Sequence, residues 1–202
     1  MNMTVDTLIL GAGLSGISAS YHIGHNRCLI LEAKNHPYGH IHSEIRDGFT
    51  WDEGPHVSFT SNEYVQSLFA NGVEGAFEEF EVRAGNYYQG SWINHPAQSN
   101  LYQVPEPLRG KCLQSFLGSR EKYQNASLPG NYQEWLYQAF GEEFSETFSA
   151  PYTRKYWTVN PDALTTEWIG PRLFKPSVED VLEGSVKALS KETHYIKNVR
   201  YP

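Results

Sequence analysis

Residues 7–16 read TLILGAGLSG, and this stretch decides the fold of the chain. The apolar run TLIL has the length of a buried strand and stops at Gly11. Leu14, Ile17 and Tyr21 then recur at the spacing of one helix face. The segment therefore predicts a strand, a tight turn and a helix in succession.

A second apolar run, CLIL at 28–31, follows this helix and ends at Glu32. Two strands joined by a helix form the βαβ unit of parallel sheets. The turn of this unit carries Gly11, Gly13 and Gly16, spaced as GxGxxG. In that motif the first glycine permits the turn and the second lets a pyrophosphate approach the backbone. The third lets helix and strand pack closely.

Glu32 lies 21 residues after Gly11, where an acid would accept hydrogen bonds from the ribose of an adenine nucleotide. Its negative charge would repel a 2′-phosphate, which disfavours NADP. The phosphates would face the N-terminus of the helix, where backbone N–H groups are free. The motif predicts dinucleotide binding, and it does not separate FAD from NAD.

The composition, with 202 residues and a net charge of −7, is that of an ordinary soluble globular protein. Basic residues are scattered singly, so neither nucleic acid binding nor attraction to a membrane is expected. No apolar run approaches the roughly 20 residues of a membrane helix, and the N-terminus lacks a signal pattern; a cytoplasmic location is expected. Cys28 and Cys112 have no metal or redox spacing and are expected to be reduced packing residues.

The rest of the chain predicts further elements. Short strands are expected around 49–51, strands and turns over 86–102, and a strand within HYIKNV at 194–199. The first helix would end at Gly24. A second helix is predicted from Ser61 to Gly72, behind a Thr60–Glu63 capping box, and a short third helix is predicted to end at Gly118. A fourth is predicted from Tyr132 to Gly141, and its apolar pattern continues as far as Pro151. A last helix is predicted from a Ser177 cap to Leu189.

Aromatic residues are frequent, with 10 Phe, 5 Trp and 13 Tyr. Such side chains fill cores, and Tyr and Trp also line pockets for large planar ligands. Core filling is the simpler interpretation, and a pocket lined by some of them stays open.

Beyond Glu32 the chain reads AKNHPYGHIHSE and then GFTWDEGPHVSF, a run that resembles the N-terminal segment of a flavoprotein family. This family contains amine oxidases, protoporphyrinogen oxidase and UDP-galactopyranose mutase. The resemblance implies FAD as cofactor, with Gly39 in a glycine-pair loop and His40 in place of its partner. His56 matches a histidine that the mutases place beside the isoalloxazine ring, and it is the catalytic candidate. The implied cofactor-binding set is Gly11, Gly13, Leu14, Ser15, Gly16, Glu32, Ala33, Gly39, His40 and His56.

The middle of the chain continues the resemblance, since PYTRKYW at 151–157 is similar to a motif in the helical substrate domain of the mutases. By this resemblance Tyr152 and Trp157 would hold a nucleotide sugar, although both would also serve as core residues. The mutases carry a diphosphate-binding arginine where Lys175 stands here, with Arg172 nearby but off register. Either cation could pair with a phosphate, although Lys lacks the bidentate fork of Arg, and Arg172 is the third substrate-binding candidate. The replacement of the mutase arginine by Lys175 favours an oxidoreductase-like relative, of the kind associated with polysaccharide biosynthesis, over a true mutase.

These observations predict an α/β chain in which a Rossmann-like FAD-binding βαβ unit carries an inserted, largely helical substrate domain. The expected parts are FAD-binding residues 1–71, substrate-side residues 72–190, and residues 191–202 as a strand returning to the FAD-binding sheet. A doubly wound sheet needs about four or more parallel strands, and the sequence offers two or three. The sheet is therefore expected to be incomplete. The chain is expected to be a truncated piece of a longer flavoenzyme, with a natural short form as the alternative.

Several functions stay open at this point. The leading one is an FAD-binding oxidoreductase of the amine oxidase superfamily, acting on a nucleotide sugar or on another amine or polycyclic metabolite. The alternatives are a UDP-galactopyranose mutase-type isomerase using reduced FAD, a non-catalytic fragment or subunit holding half of a dinucleotide site, and an NAD-binding Rossmann domain. Expected partners are FAD and a small-molecule substrate, with a second chain or a homo-oligomer left open.

Three histidines, His36, His40 and His42, lie close enough in sequence to suggest a metal site. No cysteine or paired carboxylate completes a tetrahedral set, and the resemblance assigns this loop to the cofactor pyrophosphate. No metal is therefore expected.

Overall fold

The computed structural model describes residues 4–54, 56–170, 173–189 and 198–202. The chain divides into two compact units, one formed by Met1–Phe80 with Asn198–Pro202 and the other by Glu81–Lys197. Across the described residues, no helix has both the length and the apolar character needed to span a membrane.

The first unit opens with the predicted βαβ. Strands β1 (Thr7–Leu10) and β2 (Cys28–Leu31) pair in parallel. Helix α1 (Leu14–Ile23) connects them and ends at Gly24, whose N–H donates to the carbonyl of Ser20 at 3.0 Å. The predicted order of strand, turn, helix and strand is confirmed.

One face of this two-stranded sheet is open. In the parallel register Leu8 stands opposite Leu29 and Leu10 opposite Leu31, so the four leucines share a face. Leu8, Leu10 and Leu31 are half or more exposed. Ile9 lies on the other face, against α1. Since a doubly wound fold covers both faces of its sheet with helices, the described sheet is incomplete, as predicted.

A hairpin and a helix complete the N-terminal part of this unit. The antiparallel pair β3 (Ser43–Arg46) and β4 (Phe49–Asp52) confirms the short strands expected around 49–51. Helix α2 (Glu63–Gly72) follows. Its N-cap is Asn62, whose side-chain oxygen accepts from the N–H of Val65 at 3.2 Å. The predicted Thr60–Glu63 capping box is therefore wrong, because Asn is an equally strong cap and stands next to the first helical residue.

The C-terminal strand β8 (Asn198–Tyr201) belongs to the first unit. It pairs with β5 (Glu78–Glu81), and its Arg200 exchanges two backbone hydrogen bonds with Ser58. Strands β5 and β8 form their own sheet, while β1 pairs with β2. Of the strand predicted at 194–199, positions 194–197 lie outside the described residues.

The second unit is mainly helical and contains the main hydrophobic core. A hairpin of β6 (Gly85–Tyr88) and β7 (Ser91–Asn94) leads into two short 3-10 turns. The helices are α3 (Leu108–Lys122), α4 (Tyr132–Phe140), α5 (Glu142–Phe144), a π-helical turn at Ser145–Ser149, α6 (Ala150–Trp157) and α7 (Val178–Gly184). The core joins them through buried side chains that include Ile93, Leu101, Phe116, Tyr132, Leu136, Phe140, Phe144 and Val181.

Three helix ends differ from the predictions. Helix α3 continues through Gly118, because a glycine within a packed helix costs only about 1 kcal/mol relative to Ala. Pro151 does not stop the helical run, since it occupies the first turn of α6, where its missing N–H is not needed. Helix α7 ends at Gly184 and does not reach Leu189. The stop signals at Gly118 and Pro151 therefore do not end their helices, and α7 is shorter than its apolar spacing predicts.

Candidate functional site

The glycine turn is closed by contacts that require glycine at two positions. Gly11 has a φ of +102°, which L side chains rarely adopt. Its N–H donates to the carbonyl of Leu31 at 2.7 Å and joins the turn to the end of β2. A Cβ on Gly16 would lie 2.1 Å from the carbonyl oxygen of Gly11, so α1 packs directly on the turn. The first and third glycines of the motif therefore serve the fold itself.

Gly13 differs from its two neighbours in the motif. Its φ of −74° and ψ of 178° suit any residue. A Cβ there would meet no atom closer than the Cα of Gly39, at 4.0 Å. The turn does not need a glycine here for its own packing. Because Gly13 has no side chain, the backbone at the start of α1 stays uncovered, and an anion can approach it.

Glu32 is fastened to this turn by backbone donors. The N–H of Ala12 donates to Oε2 at 2.7 Å, and the N–H of Lys34 donates to Oε1 at 2.9 Å. These hydrogen bonds, that of Lys34 first, lower the pKa of Glu32 below its ordinary value. Glu32 is therefore ionised at neutral pH. Because a carboxylate offers about four acceptor positions, it can still accept from further hydroxyl groups.

The loop after β2 lies against the glycine turn. The N–H of Tyr38 donates to the carbonyl of Ala12 at 2.7 Å. Gly39 has a φ of +56°, and a Cβ there would lie 3.2 Å from the Cα of Gly13. The side chain of His40 points into solvent, with Nδ1 3.7 Å from Oε1 of Glu53. The structure thus brings the loop predicted at a pyrophosphate next to the turn that would bind one.

The remaining predicted cofactor residues lie at the ends of the same elements. Leu14 and Ser15 begin α1 and are exposed, and so is Ala33 after Glu32. The structure therefore gathers one set around the turn: Gly11, Gly13, Leu14, Ser15, Gly16, Glu32, Ala33, Gly39 and His40.

A cleft of about 630 Å³ lies between the loop after β2 and the β3–β4 hairpin. This volume is in the range of small-molecule sites. The rings of His36 and His42 stack there with centroids 3.8 Å apart. Within the described ranges, no group of three or more His, Cys, Asp and Glu could hold a metal ion. The lining residues are Asn35, His36, His42, Glu44, Trp51, Asp52 and Glu53.

His56 is part of a second hydrogen-bonded cluster in the first unit. Its Nδ1 lies 3.2 Å from Oδ1 of Asp52, which also accepts from the hydroxyl of Ser43 at 2.7 Å. The hydroxyl of Tyr201 donates to Oδ2 at 2.7 Å. No hydrogen bond among the described residues joins His56 to the glycine turn. The sequence did not predict that Ser43, Asp52 and Tyr201 join His56 in this cluster. The four-residue spacing of Asp52 and His56 was a signal for the Asp52 contact only.

The substrate-side candidates lie in the second unit. Tyr152 and Trp157 are on α6, 62% and 47% exposed. The ring of Tyr152 stacks on that of Tyr156 at 5.7 Å, and Trp157 contacts Trp168 at 5.8 Å. Arg172 lies outside the described residues. Their role in substrate binding stays a prediction.

Comparison with known proteins adds independent findings. The sequence model of the NAD(P)-binding Rossmann-like domain matches residues 9–71. Chloroplastic protoporphyrinogen oxidase 1 of Arabidopsis thaliana is 22% identical over 217 residues, covering 99% of this chain and 40% of that protein. A crystal structure of reduced UDP-galactopyranose mutase matches with a TM-score of 0.86 and 26% identity, covering 100% of this chain and 43% of that one. A candidate protoporphyrinogen oxidase from Exiguobacterium sp. 255-15 matches in fold, with a TM-score of 0.53, 18% identity and coverage of 80% and 40%.

The fold and the glycine turn define an α/β protein with a Rossmann-like dinucleotide-binding unit. The predicted resemblance to the FAD-dependent amine oxidase-like flavoproteins, which include protoporphyrinogen oxidase and UDP-galactopyranose mutase, is confirmed. The chain spans 40% of the length of the plant oxidase and 43% of that of the mutase.

Proposed function

We propose that the glycine turn and Glu32 hold the ADP part of FAD in a flavin-dependent oxidoreductase of the amine oxidase superfamily. One observation carries the proposal: Glu32 is anchored to the turn through the N–H of Ala12 at 2.7 Å, while Gly13 leaves the adjacent backbone uncovered. The carboxylate would accept from the ribose hydroxyls, and the N–H groups at the start of α1 would face the pyrophosphate. FAD, when bound, supplies a ring that accepts a hydride from the substrate.

The residues present fit FAD better than NADP. Glu32 is ionised because two backbone amides stabilise its charged form, and this charge would repel a 2′-phosphate. The choice of FAD over NAD is supported by the resemblance to flavoproteins, since the glycine motif serves both cofactors. The substrate in this proposal is a nucleotide sugar, or another amine or polycyclic metabolite.

Gly13→Ala is the sharpest test, because it separates the ligand from the fold. Ala suits the backbone angles at this position, and its Cβ would meet no atom within 4 Å other than the Cα of Gly39. We expect an unchanged unfolding midpoint and at least about tenfold weaker FAD binding, a loss of about 1.4 kcal/mol. Flavin fluorescence quenching and the visible spectrum report binding, and circular dichroism reports the midpoint.

Gly72→Ala is the matched control, since it lies in the same unit at the end of α2, with open space around it. It should bind FAD as the unchanged chain does. Equal FAD binding by Gly13→Ala would contradict the proposed position of the pyrophosphate. Stabilisation by NAD and not by FAD would indicate an NAD-binding domain, and stabilisation by neither would favour a non-catalytic fragment.

The second candidate is a UDP-galactopyranose mutase-type isomerase using reduced FAD. It is favoured by the match to that enzyme over 100% of this chain, with a TM-score of 0.86. Tyr152, Trp157 and Arg172 would then hold the nucleotide sugar. The FAD-loaded chain, reduced with dithionite and given UDP-galactopyranose, should form the furanose sugar nucleotide, detected by chromatography. A reduced, FAD-bound chain that leaves this compound unchanged would exclude mutase activity for this chain.

A further inference from the structure

The hydrogen bonds around Asp52 determine where the proton sits on His56. We propose that Asp52 is a positioning residue, which fixes the proton of His56 on Nδ1 and keeps Nε2 as a bare acceptor. The proposal deepens the proposed function, because His56 is the residue that the family resemblance assigns to the flavin ring. The cluster lies wholly within the first unit.

The hydroxyl of Ser43 has a single hydrogen to donate. Ser43 donates it to Oδ1 of Asp52 at 2.7 Å. Its oxygen is also 3.3 Å from Nδ1 of His56, where it can only accept. Nδ1 therefore faces two oxygen acceptors, Ser43 Oγ and Asp52 Oδ1, and must carry a proton to bond with either.

Asp52 carries a negative charge that its neighbours stabilise. Hydrogen bonds from Ser43 and then Tyr201 lower its pKa, so its carboxyl group is ionised and accepts at both oxygens. Ser43 comes from β3 and Tyr201 from β8, so donors on two elements restrain the carboxylate. An ionised, restrained carboxylate selects the Nδ1–H form of His56 and fixes the plane of its ring.

The other ring nitrogen of His56, Nε2, has different surroundings. The side chain of His56 is 10% exposed, and Nε2 is buried without a hydrogen-bond partner among the described residues. A proton on Nε2 would bury a donor that has no acceptor among the described residues. A ring that carries its proton on Nδ1 and leaves Nε2 bare avoids this cost. In the working protein this nitrogen would accept from an N–H or O–H group of bound ligand and would not donate to it.

Nitrogen NMR on the whole chain, labelled with ¹⁵N-histidine and without FAD, tests the tautomer directly. We expect the His56 signals of a protonated Nδ1 and an unprotonated Nε2. A proton on Nε2 in the unchanged chain would overturn the proposal. Because this measurement needs no cofactor, it stands whether or not FAD binds, and a failure of FAD binding would count against the proposed function alone.

Asp52→Asn tests whether Asp52 is the cause. The amide can donate to Nδ1, so the proton should move to Nε2, as the same change produces the wrong tautomer in the serine protease triad. Asp47→Asn is the matched control: it lies in the turn of the same hairpin with a φ of 53°, which Asn adopts readily. The control should keep the Nδ1–H form. An Asp52→Asn chain that also keeps it would overturn the role of Asp52.

A second readout connects the tautomer to the flavin. In the FAD-loaded chain, Asp52→Asn should shift the flavin absorption maximum and reduction potential, whereas Asp47→Asn should leave both unchanged. A switched tautomer with an unchanged flavin would overturn the action of His56 on the ring. Tyr201→Phe removes one donor to Asp52 and leaves Ser43 in place. It should retain the Nδ1–H form, and loss of that form would overturn the proposal that Asp52, held by Ser43, is sufficient to fix the tautomer.

Discussion

Three glycines share one motif but stand there for different reasons. Gly11 and Gly16 satisfy the geometry of the turn, and Gly13 leaves space beside it. The spacing GxGxxG predicted the turn and its neighbours correctly because it encodes backbone geometry that few sequences satisfy. It could not show which glycine the fold itself requires.

Gly16→Ala should destabilise the first unit. Its Cβ would lie 2.1 Å from the carbonyl oxygen of Gly11 and 3.2 Å from Cγ2 of Ile9, so α1 or the turn must move. We expect a loss of about 1–3 kcal/mol in the free energy of unfolding, the usual effect of overpacking. Urea denaturation followed by circular dichroism measures it. A variant as stable as the unchanged chain would contradict this prediction, because it would show that the turn accommodates the Cβ without loss of unfolding free energy.

The ionised state of Glu32 gives FAD binding a defined pH dependence. Backbone N–H groups of Lys34 and Ala12 stabilise the charged carboxylate, so its pKa lies below the ordinary value of 4.5. Their stabilising effect is fully present above pH 4.5 and is lost as the pH falls through the lowered pKa. We expect FAD affinity to be flat near neutral pH and to fall only below that value.

Glu32→Gln should bind FAD more weakly at neutral pH and lose this acid-dependent step, because its side chain does not titrate. Glu121→Gln is the control, an exposed acid in the second unit that should leave the whole profile unchanged. Fluorescence titrations across the acid range measure all three chains. If FAD binding by Glu32→Gln still weakened in acid as it does in the unchanged chain, the pH dependence would belong to a group other than Glu32.

At the scale of elements, the sequence predicted helices and strands well and their ends poorly. Strands TLIL and CLIL, helix α1 and the Ser177 cap were found because apolar spacing and capping residues are local signals. Gly118 and Pro151 gave local stop signals that the structure overrides. Helix α3 continues through Gly118 because packing against the second unit's core outweighs about 1 kcal/mol of helix propensity. Pro151 is tolerated because it lies in the first turn of α6, where its missing N–H is not needed.

Gly118→Ala should therefore stabilise the chain. Gly118 lies within α3, has no positive φ, and a Cβ there would meet no atom within 4 Å. Replacing a mid-helix glycine by Ala is worth about 0.8–1 kcal/mol, which a urea titration can resolve.

Gly141→Ala provides the opposite case on the neighbouring helices. Gly141 has a φ of +81°, and its Cβ would lie 2.6 Å from the carbonyl carbon of Ser115. This variant should be destabilised in the same assay. A destabilised Gly118→Ala, or an unaffected Gly141→Ala, would contradict the packing of α3 described above.

At the scale of the molecule, the candidate site was predicted in part. The glycine turn and Glu32 were found because their contacts join residues close in sequence. The cluster at His56 was not, because its members at 43, 52 and 201 come from separate strands, and Tyr201 reaches Asp52 across 149 positions. Short-range motifs therefore predict the glycine turn and the acid beside it, while long-range hydrogen bonds such as those around Asp52 need the fold.

Leu136 and Leu10 differ widely in burial, and a matched pair of substitutions measures what that burial contributes. Leu136 is 1% exposed in the core of the second unit, whereas Leu10 is 78% exposed on the open face of β1 and β2. Leu136→Ala should cost about 2–5 kcal/mol of unfolding free energy, and Leu10→Ala no more than about 0.5 kcal/mol. Urea denaturation at several protein concentrations measures both. A large, concentration-dependent loss for Leu10→Ala would contradict the open face, because it would show that this leucine is buried against another molecule in solution.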